Sequence, residues 1–150
     1  MIIYINQLGS GPNRNQVSVI STNEPLGFGK AGITDWSILD GPNSGAGTVG
    51  RAQGIHFESS HVGQPLWTSI LNLKFDNGTF AGSTLQVMGF VPTDGDWSIM
   101  GGTGKLTLAR GIISHKVIRD VPGDRLYEVY IHVYYSAMGK RTNRKKELEK

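Results

Sequence analysis

Apolar and polar residues alternate along most of the chain, in short segments that end at turn-forming residues. One such segment, Leu71–Phe75, is followed by Asn77-Gly78. Alternation with a period of two is typical of β-strands with one buried face, and Asn-Gly between two such segments is a strong β-hairpin signal. We therefore predict that Leu71–Phe75 and Leu85–Met88 belong to adjacent antiparallel strands.

The same alternation recurs elsewhere, and clusters of Gly, Pro, Asn and Asp separate the segments. Alternating segments lie at Val17–Val19, Leu106–Ile112 and Tyr127–Tyr135. Turn clusters lie at Gly9–Asn13, Gly41–Gly45, Pro92–Asp96, Gly101–Gly104 and Val121–Asp124. About eight antiparallel strands in one domain form a sandwich or a closed barrel, and closure best removes exposed edges. The predicted fold is all-β, an eight-stranded antiparallel β-barrel with room for packed side chains or one small ligand.

Length and charge define one domain and a tail. The 150 residues fit a single domain with its own core. Of the fifteen basic and twelve acidic residues, six basic and two acidic ones lie in residues 139–150, which leaves nine basic and ten acidic in the rest. The net charge of +3 therefore belongs to the tail. We predict a barrel domain over residues 1–138, a charged tail or linker start over 139–150, and no nucleic-acid partner.

Cysteine content and targeting signals bear on the cellular compartment in which the protein is located. The chain has no cysteine, which excludes disulfides, thiolate catalysis and Cys-ligated metal centres. No run of about 18 apolar residues would span a membrane, and the N-terminus lacks the regions of a signal peptide. We expect no membrane partner and, for the chain as written, a cytoplasmic location. A secreted, apoplastic protein is the alternative if an upstream segment is missing.

Common catalytic and metal-binding motifs are missing from the sequence. Gly101–Lys105 lacks the first glycine and the Ser or Thr of a phosphate-binding loop, because Ile99 and Leu106 stand at those positions. The four histidines have no metal-ligand spacing, and no Gly-x-Ser-x-Gly motif supports a hydrolase. We therefore expect surface or strand histidines, no metal site and no catalytic nucleophile.

Two charged residues stand within apolar segments. Arg110 follows Leu106 and Leu108 at a spacing of two, and Asp35 precedes Trp36. An inward-facing Arg110 would need a carboxylate partner or a polar cavity. A structural Arg–Asp pair and a ligand-contacting pair are the two alternatives.

Several motifs, in order along the chain, resemble the plant dirigent family. They are Gly50–Gly54, Gly82–Gly89, Gly101–Lys105 and Ala109–Gly111, and with Tyr4–Gln7 and Phe28-Gly29 they cover about residues 2–137. The resemblance implies a barrel of the allene oxide cyclase-like type, usually trimeric, with a pocket in each barrel. It also implies that the protein holds phenoxy radicals, made by a separate oxidase, so that they couple with one stereochemistry. Such a protein is no enzyme in its own right, beyond acid/base assistance, and needs no redox cofactor.

Within that family the chain is most similar to dirigent domains joined to a jacalin-type lectin in chimeric proteins of grasses, which are associated with defence and stress responses. Thr34–Trp36 and Asp96–Ile99 carry this similarity. Lignan-forming members typically have an Asp-Asp pair where this chain has Asp35-Trp36, and often an acidic residue where it has Lys105.

These observations give a set of candidate site residues. The predicted pocket, for a small aromatic or glycosidic ligand, comprises Asp35, Trp36, Arg110, Lys105 and Phe57. The alternative function is a carbohydrate-binding or partner-binding module without a role in coupling, in which Trp67 or Trp97 stacks on a sugar. We expect no metal, no cofactor and a homo-oligomer, either trimer or dimer.

Overall fold

The computed structural model describes residues 1–136, and the predicted tail at 139–150 lies outside that range. The described residues form nine β-strands and two short 3₁₀ helices, Pro25–Gly27 and Gly104–Leu106. The strands are β1 (Ile2–Leu8), β2 (Gln16–Ile20), β3 (Ala31–Leu39), β4 (Thr48–Glu58), β5 (Trp67–Phe75), β6 (Thr84–Phe90), β7 (Asp94–Thr103), β8 (Arg110–Val121) and β9 (Asp124–Tyr134). None of the helices within residues 1–136 has the length and apolar character needed to cross a bilayer.

Eight of these strands close into a barrel in which every pairing is antiparallel. The order is β1-β9-β8-β7-β6-β5-β4-β3, and a β1–β3 pairing completes the ring. Among the described strands, β2 is an addition that pairs only with β3, where Val17 lies opposite Ile33. Strand β1 pairs with the other half of β3, where Ile5 lies opposite Ile38. The predicted eight-stranded antiparallel barrel is confirmed.

The barrel interior has an aliphatic end and an aromatic end. Near the β5–β6 connection, Ile38, Leu73, Leu85 and Leu106 are fully buried. Toward the opposite end the interior is filled by larger rings, which belong to Trp36, Trp97 and Tyr127. Each fully buried apolar side chain contributes about 1.5–3 kcal/mol of transfer free energy, so this core is the main source of stability.

The structure confirms the predicted hairpin and corrects two details. Strands β5 and β6 pair with Leu71 opposite Val87, as the Asn-Gly signal indicates. The predicted glycine turn at 101–104 is mostly strand, because β7 continues to Thr103. The predicted strand at 106–112 begins only at Arg110, since Leu108 adopts a left-handed φ of 61° that reverses the chain.

Candidate functional site

A cavity of about 750 Å³ opens at the aromatic end of the barrel. Its mouth lies between the β8–β9 turn, residues 91–93 and Pro65, and its wall includes the inward faces of β3, β4 and β5. A volume of this size lies within the usual range for small-molecule sites, roughly 300–1,000 Å³.

Three rings on neighbouring strands form one wall of the cavity, here called the ring wall: Trp36, His56 and Trp67. The Trp36 and His56 rings are stacked, with centroids 5.6 Å apart and an interplanar angle of 21°. The His56 and Trp67 rings are tilted by 60° at 5.1 Å. Aromatic rings pack favourably in offset and edge-to-face geometries, so the ring wall provides planar surface for an aromatic ligand.

Hydrogen bonds to two glutamine side chains fix two rings beside the cavity. The Trp36 indole Nε1 donates to Gln16 Oε1 on β2 at 2.9 Å. The Tyr127 hydroxyl donates to Gln7 Oε1 on β1 at 3.0 Å. Both glutamines line the cavity, so β1 and β2 contribute its polar edge, while β3, β4, β5 and β9 contribute its rings.

The position of Trp67 at the mouth depends on a buried carboxylate. Glu58 is 1% exposed, and its Oε1 accepts hydrogen bonds from the backbone amides of Ser60 at 2.8 Å and Leu66 at 2.7 Å. These bonds fold the connection between β4 and β5 onto the end of the barrel. Trp67, which follows that connection directly, is thereby placed at the cavity mouth.

Burial favours the neutral forms of two histidines and a tyrosine inside the aromatic end. Burial lowers the pKa of His56 and of His115; for His115 the Phe90 carbonyl, Asp96 and Asp94 oppose this effect. Burial also raises the pKa of the Tyr127 phenol. The interior near the cavity therefore presents neutral imidazole and phenol groups near pH 7.

Charged groups lie at the rim of the cavity, where Arg125 Nε is 3.2 Å from Asp120 Oδ1. Within residues 1–136, no three His, Asp or Glu side chains come together as metal ligands.

The structure places Asp35 on the outside of the barrel. Its side chain is 53% exposed, with Oδ2 3.8 Å from Arg51 Nη1 and Oδ1 accepting a hydrogen bond from Gln53 Nε2 at 3.0 Å. The reason is the alternation of β3, on which Trp36 faces inward and its neighbour must face outward. Asp35 is therefore absent from the cavity wall.

Arg110 also lies outside the cavity. It is exposed, and its Nη1 donates to the carbonyl oxygens of Met100 and Ala109, both at 2.8 Å. On β8 the buried residues are Ile113 and His115, so the even-numbered Arg110 belongs to the outer face. Neither alternative for these two residues, a structural Arg–Asp pair or a ligand-contacting pair in the cavity, is seen, because both side chains lie on the outer face and each has other partners.

The other sequence candidates divide between the cavity, the surface and the core. Lys105 is at the opposite end of the barrel, where Nζ donates to the Thr79 carbonyl at 2.8 Å. Phe57 lies opposite Ala31 on the outer face of β4. Trp97 is 1% exposed and therefore has no free face for a sugar. Of the seven candidates, only Trp36 and Trp67 line the cavity, and their binding of a ligand stays a prediction.

Sequence reasoning missed His56 and Ser69, which are opposite each other on β4 and β5 and both line the cavity. The sequence signal that could have placed His56 on an inward face is that it follows Ala52 and Gly54 at a spacing of two residues. Because those inward residues are small, β4 lacks the alternation of large apolar side chains that marks the other strands.

Comparison with known proteins agrees with this architecture. The family model described as dirigent-like protein matches residues 1–134. Dirigent protein 1 of Arabidopsis thaliana is 30% identical over 139 residues, which are 88% of this chain and 76% of that protein. Pterocarpan synthase 1 of Glycyrrhiza echinata is 30% identical over 142 residues, 88% of this chain and 75% of that protein.

A solved structure extends the comparison to three dimensions. The structure of the pterocarpan synthase dirigent protein GePTS1 superimposes with a TM-score of 0.82 at 30% identity, covering 90% of this chain and 86% of that one. The match of a family model to nearly the whole barrel, together with these relatives, shows that the chain belongs to the dirigent family.

Proposed function

We propose that this dirigent-family protein binds a small aromatic ligand in the barrel cavity and restricts the orientation in which that ligand reacts. The observation that carries the proposal is the ring wall, three rings on adjacent strands facing a cavity large enough for one or two fused ring systems. Holding two reactive groups in one geometry selects among products without further chemistry from the protein. Phenoxy radicals made by a separate oxidase are the substrates that best suit such a role.

The similarity to proteins named pterocarpan synthase supports an aromatic ligand, because a pterocarpan contains fused aromatic rings. That name also denotes an enzyme, so proton transfer in the cavity belongs to the proposal. His56 and Tyr127, both beside the cavity, are the neutral groups able to exchange a proton with a bound ligand.

Replacing Trp67 with alanine is expected to weaken aromatic ligand binding by at least about fivefold, since a stacked ring pair is worth about 1 kcal/mol beyond the area it buries. Coniferyl alcohol is a suitable ligand, with Kd measured by calorimetric titration. The matched control is Phe90→Ala on the outer face of β6, where the side chain is 53% exposed. An unchanged Kd for Trp67→Ala would remove the ring wall as the binding surface.

Oxidation of coniferyl alcohol by a laccase, with and without the protein, tests the coupling role. We expect an excess of one enantiomer of the dimer only when the protein is present. Racemic dimers in both reactions would exclude guided coupling of this substrate, while the binding titration would still report on the cavity.

A carbohydrate-binding or partner-binding module of the chimeric dirigent–jacalin type, acting in plant defence or stress, is the second candidate. The partial exposure of Trp67 at the cavity mouth favours it, because a sugar ring stacks on an accessible indole. Absence of binding across a glycan array would exclude the carbohydrate version.

An apolar band on the outer face supports the proposal of a homo-oligomer. Five side chains lie side by side in register on β2 to β6: Val17, Ile33, Ile55, Ile70 and Met88. Four of them are 41–47% exposed, and contiguous apolar patches on a surface mark association sites.

Ile70→Lys, at the centre of the band, is expected to convert the oligomer to monomer, because it places a charge in an apolar contact. Sedimentation velocity measures the change. The control is Ile2→Lys, which is 53% exposed but lies on β1, away from the band. Equal sedimentation of Ile70→Lys and the unmodified protein would contradict an interface at this face.

A further inference from the structure

Asn77-Gly78, the pair that predicts the β5–β6 hairpin, lies in a turn that is open to solvent. Both residues are exposed. Within residues 1–136, no hydrogen bond involves the Asn77 side chain or the Gly78 backbone amide. Gly78 has a left-handed φ of 74°, and no atom beyond its chain neighbours lies within 4 Å of the place that a Cβ would occupy. Hydrogen bonds therefore do not restrain these two groups, and nothing crowds them.

An asparagine side chain in this setting can close onto the backbone. The amide nitrogen of Gly78 attacks Cγ of Asn77, the bond from Cγ to the side-chain nitrogen breaks, and ammonia leaves with the proton of the Gly78 amide. Glycine favours this closure because it has no Cβ to hinder the approach of its nitrogen. Water then opens the cyclic imide at either carbonyl and gives aspartate or isoaspartate, in which the backbone runs through Cγ. The reaction consumes water and releases ammonia, so it needs no oxidant or cofactor.

The other asparagines in the described part of the chain are less suited to this reaction, since none of them precedes a glycine. Asn43 is exposed between β3 and β4, but it precedes Ser44, whose Cβ hinders closure. Asn72 lies on β5, where its Oδ1 accepts a hydrogen bond from Gln86 Nε2 at 3.1 Å. The Asn15 side chain is bonded at both ends to the backbone of β1. Exposure, freedom from hydrogen bonds and a following glycine therefore coincide at Asn77.

We propose that Asn77 is a modification site at which the folded protein converts spontaneously to aspartyl and isoaspartyl forms. The product carries an added negative charge, beside the ion pair of Lys74 Nζ and Asp76 Oδ1 at 2.7 Å. Because the site is exposed, the isoaspartyl α-carboxylate is accessible to a second protein. The class of reaction that consumes this product is methyl transfer to that carboxylate, after which the ester returns to the imide with loss of methanol. This inference is independent of the proposed function.

The barrel tolerates this change, because hydrogen bonds on either side of Asn77 hold the connection in place. The Asp76 amide donates to the Val49 carbonyl at 2.9 Å, and the Gly82 amide donates to the Phe75 carbonyl at 2.9 Å. Neither bond involves the peptide group that is rearranged. The connection also lies at the aliphatic end of the barrel, opposite the cavity. The modified protein therefore keeps its barrel and its cavity, and it differs from newly made protein in charge and in the local backbone.

Prolonged incubation of the folded protein in buffer at physiological pH and temperature, followed by tryptic peptide mapping, tests the site. The tryptic peptides 75–105 and 31–51 contain Asn77 and Asn43 as their respective only asparagines. We expect peptide 75–105 to gain the mass that replaces an amide with a carboxyl group and to separate into aspartyl and isoaspartyl forms, while peptide 31–51 stays intact. The incubated protein should also accept methyl groups from an isoaspartyl-specific methyltransferase.

Asn77→Gln is the matched variant, because it keeps the amide but would have to close a larger ring. We expect it to show neither new peptide forms nor methyl acceptance. An unchanged peptide 75–105 in the unmodified protein would overturn the proposal, and so would equal conversion of Asn77 and Asn43. Asn77→Asp reproduces the aspartyl product directly, and a changed near-ultraviolet circular dichroism spectrum in this variant would contradict the tolerance of the barrel.

Discussion

Trp97→Ala is expected to lower the free energy of unfolding by about 3–5 kcal/mol, the usual cost of truncating a fully buried aromatic side chain. Trp97 is 1% exposed, and its ring lies 4.4 Å from that of His115 and 6.5 Å from that of Tyr127. Its Nε1 also donates to the Phe90 carbonyl at 2.7 Å. Urea unfolding followed by far-ultraviolet circular dichroism measures the change.

Trp67→Ala is the matched control, because it removes the same side chain from a half-buried position at the cavity mouth. We expect this variant to lose less than half as much stability as Trp97→Ala and to lose ligand affinity instead. Equal loss of stability in the two variants would contradict the assignment of Trp97 to the core and of Trp67 to the site.

The barrel was predictable because its strongest signals are local. Tyr127, Val129 and Ile131 are buried on β9, and the residues between them, Glu128 and Tyr130, are less buried. The Asn-Gly hairpin determines one strand pairing, and the repeated turn clusters limit the other segments to short strands. Antiparallel closure then follows from the need to cover strand edges.

The site was less predictable, because it depends on which face each residue occupies. Arg110 shares the even numbering of Leu106 and Leu108, which led to the expectation of a common inward face. In the structure Leu106 is buried in a 3₁₀ helix, whereas Leu108 has a left-handed φ and is 65% exposed. A non-glycine residue with that conformation gives no sequence signal, so the change of face before β8 is invisible to a periodicity argument.

Because Asp35 and Arg110 lie outside the cavity, the chemistry expected of the cavity changes. An Arg–Asp pair would bind a ligand through ionic groups, whereas the structure presents indole, imidazole and hydroxyl groups near the ring wall. Asp35 and Arg51 instead lie on the outer face of the barrel, in a solvated pair that contributes little stability. We therefore expect recognition in the cavity to depend on ring stacking and neutral hydrogen bonds, as an uncharged aromatic ligand would require.

Gly54→Ala is expected to lower the free energy of unfolding by about 3 kcal/mol and to abolish aromatic binding. A Cβ at this position would lie 2.0 Å from the Ile70 carbonyl oxygen and 3.0 Å from the Leu71 Cα, both backbone atoms of β5. Because backbone atoms cannot rotate away, β4 and β5 must separate. His56 and Ser69, two residues from Gly54 and one from Ile70, would move with them.

The control for this prediction is Gly101→Ala on β7, where an added Cβ meets only the Gln86 side chain, at 3.4 Å. That contact is tolerable, so we expect Gly101→Ala to change stability by less than about 1 kcal/mol and to keep its ligand affinity. Thermal unfolding and the calorimetric titration with coniferyl alcohol, applied to both variants, make the comparison. If Gly54→Ala were as stable as Gly101→Ala, the close approach of β4 to β5 would not be what holds the ring wall in place. Steric exclusion by β5 would then not explain why the inward residues of β4 are small, and a larger side chain at position 54 would be compatible with the barrel.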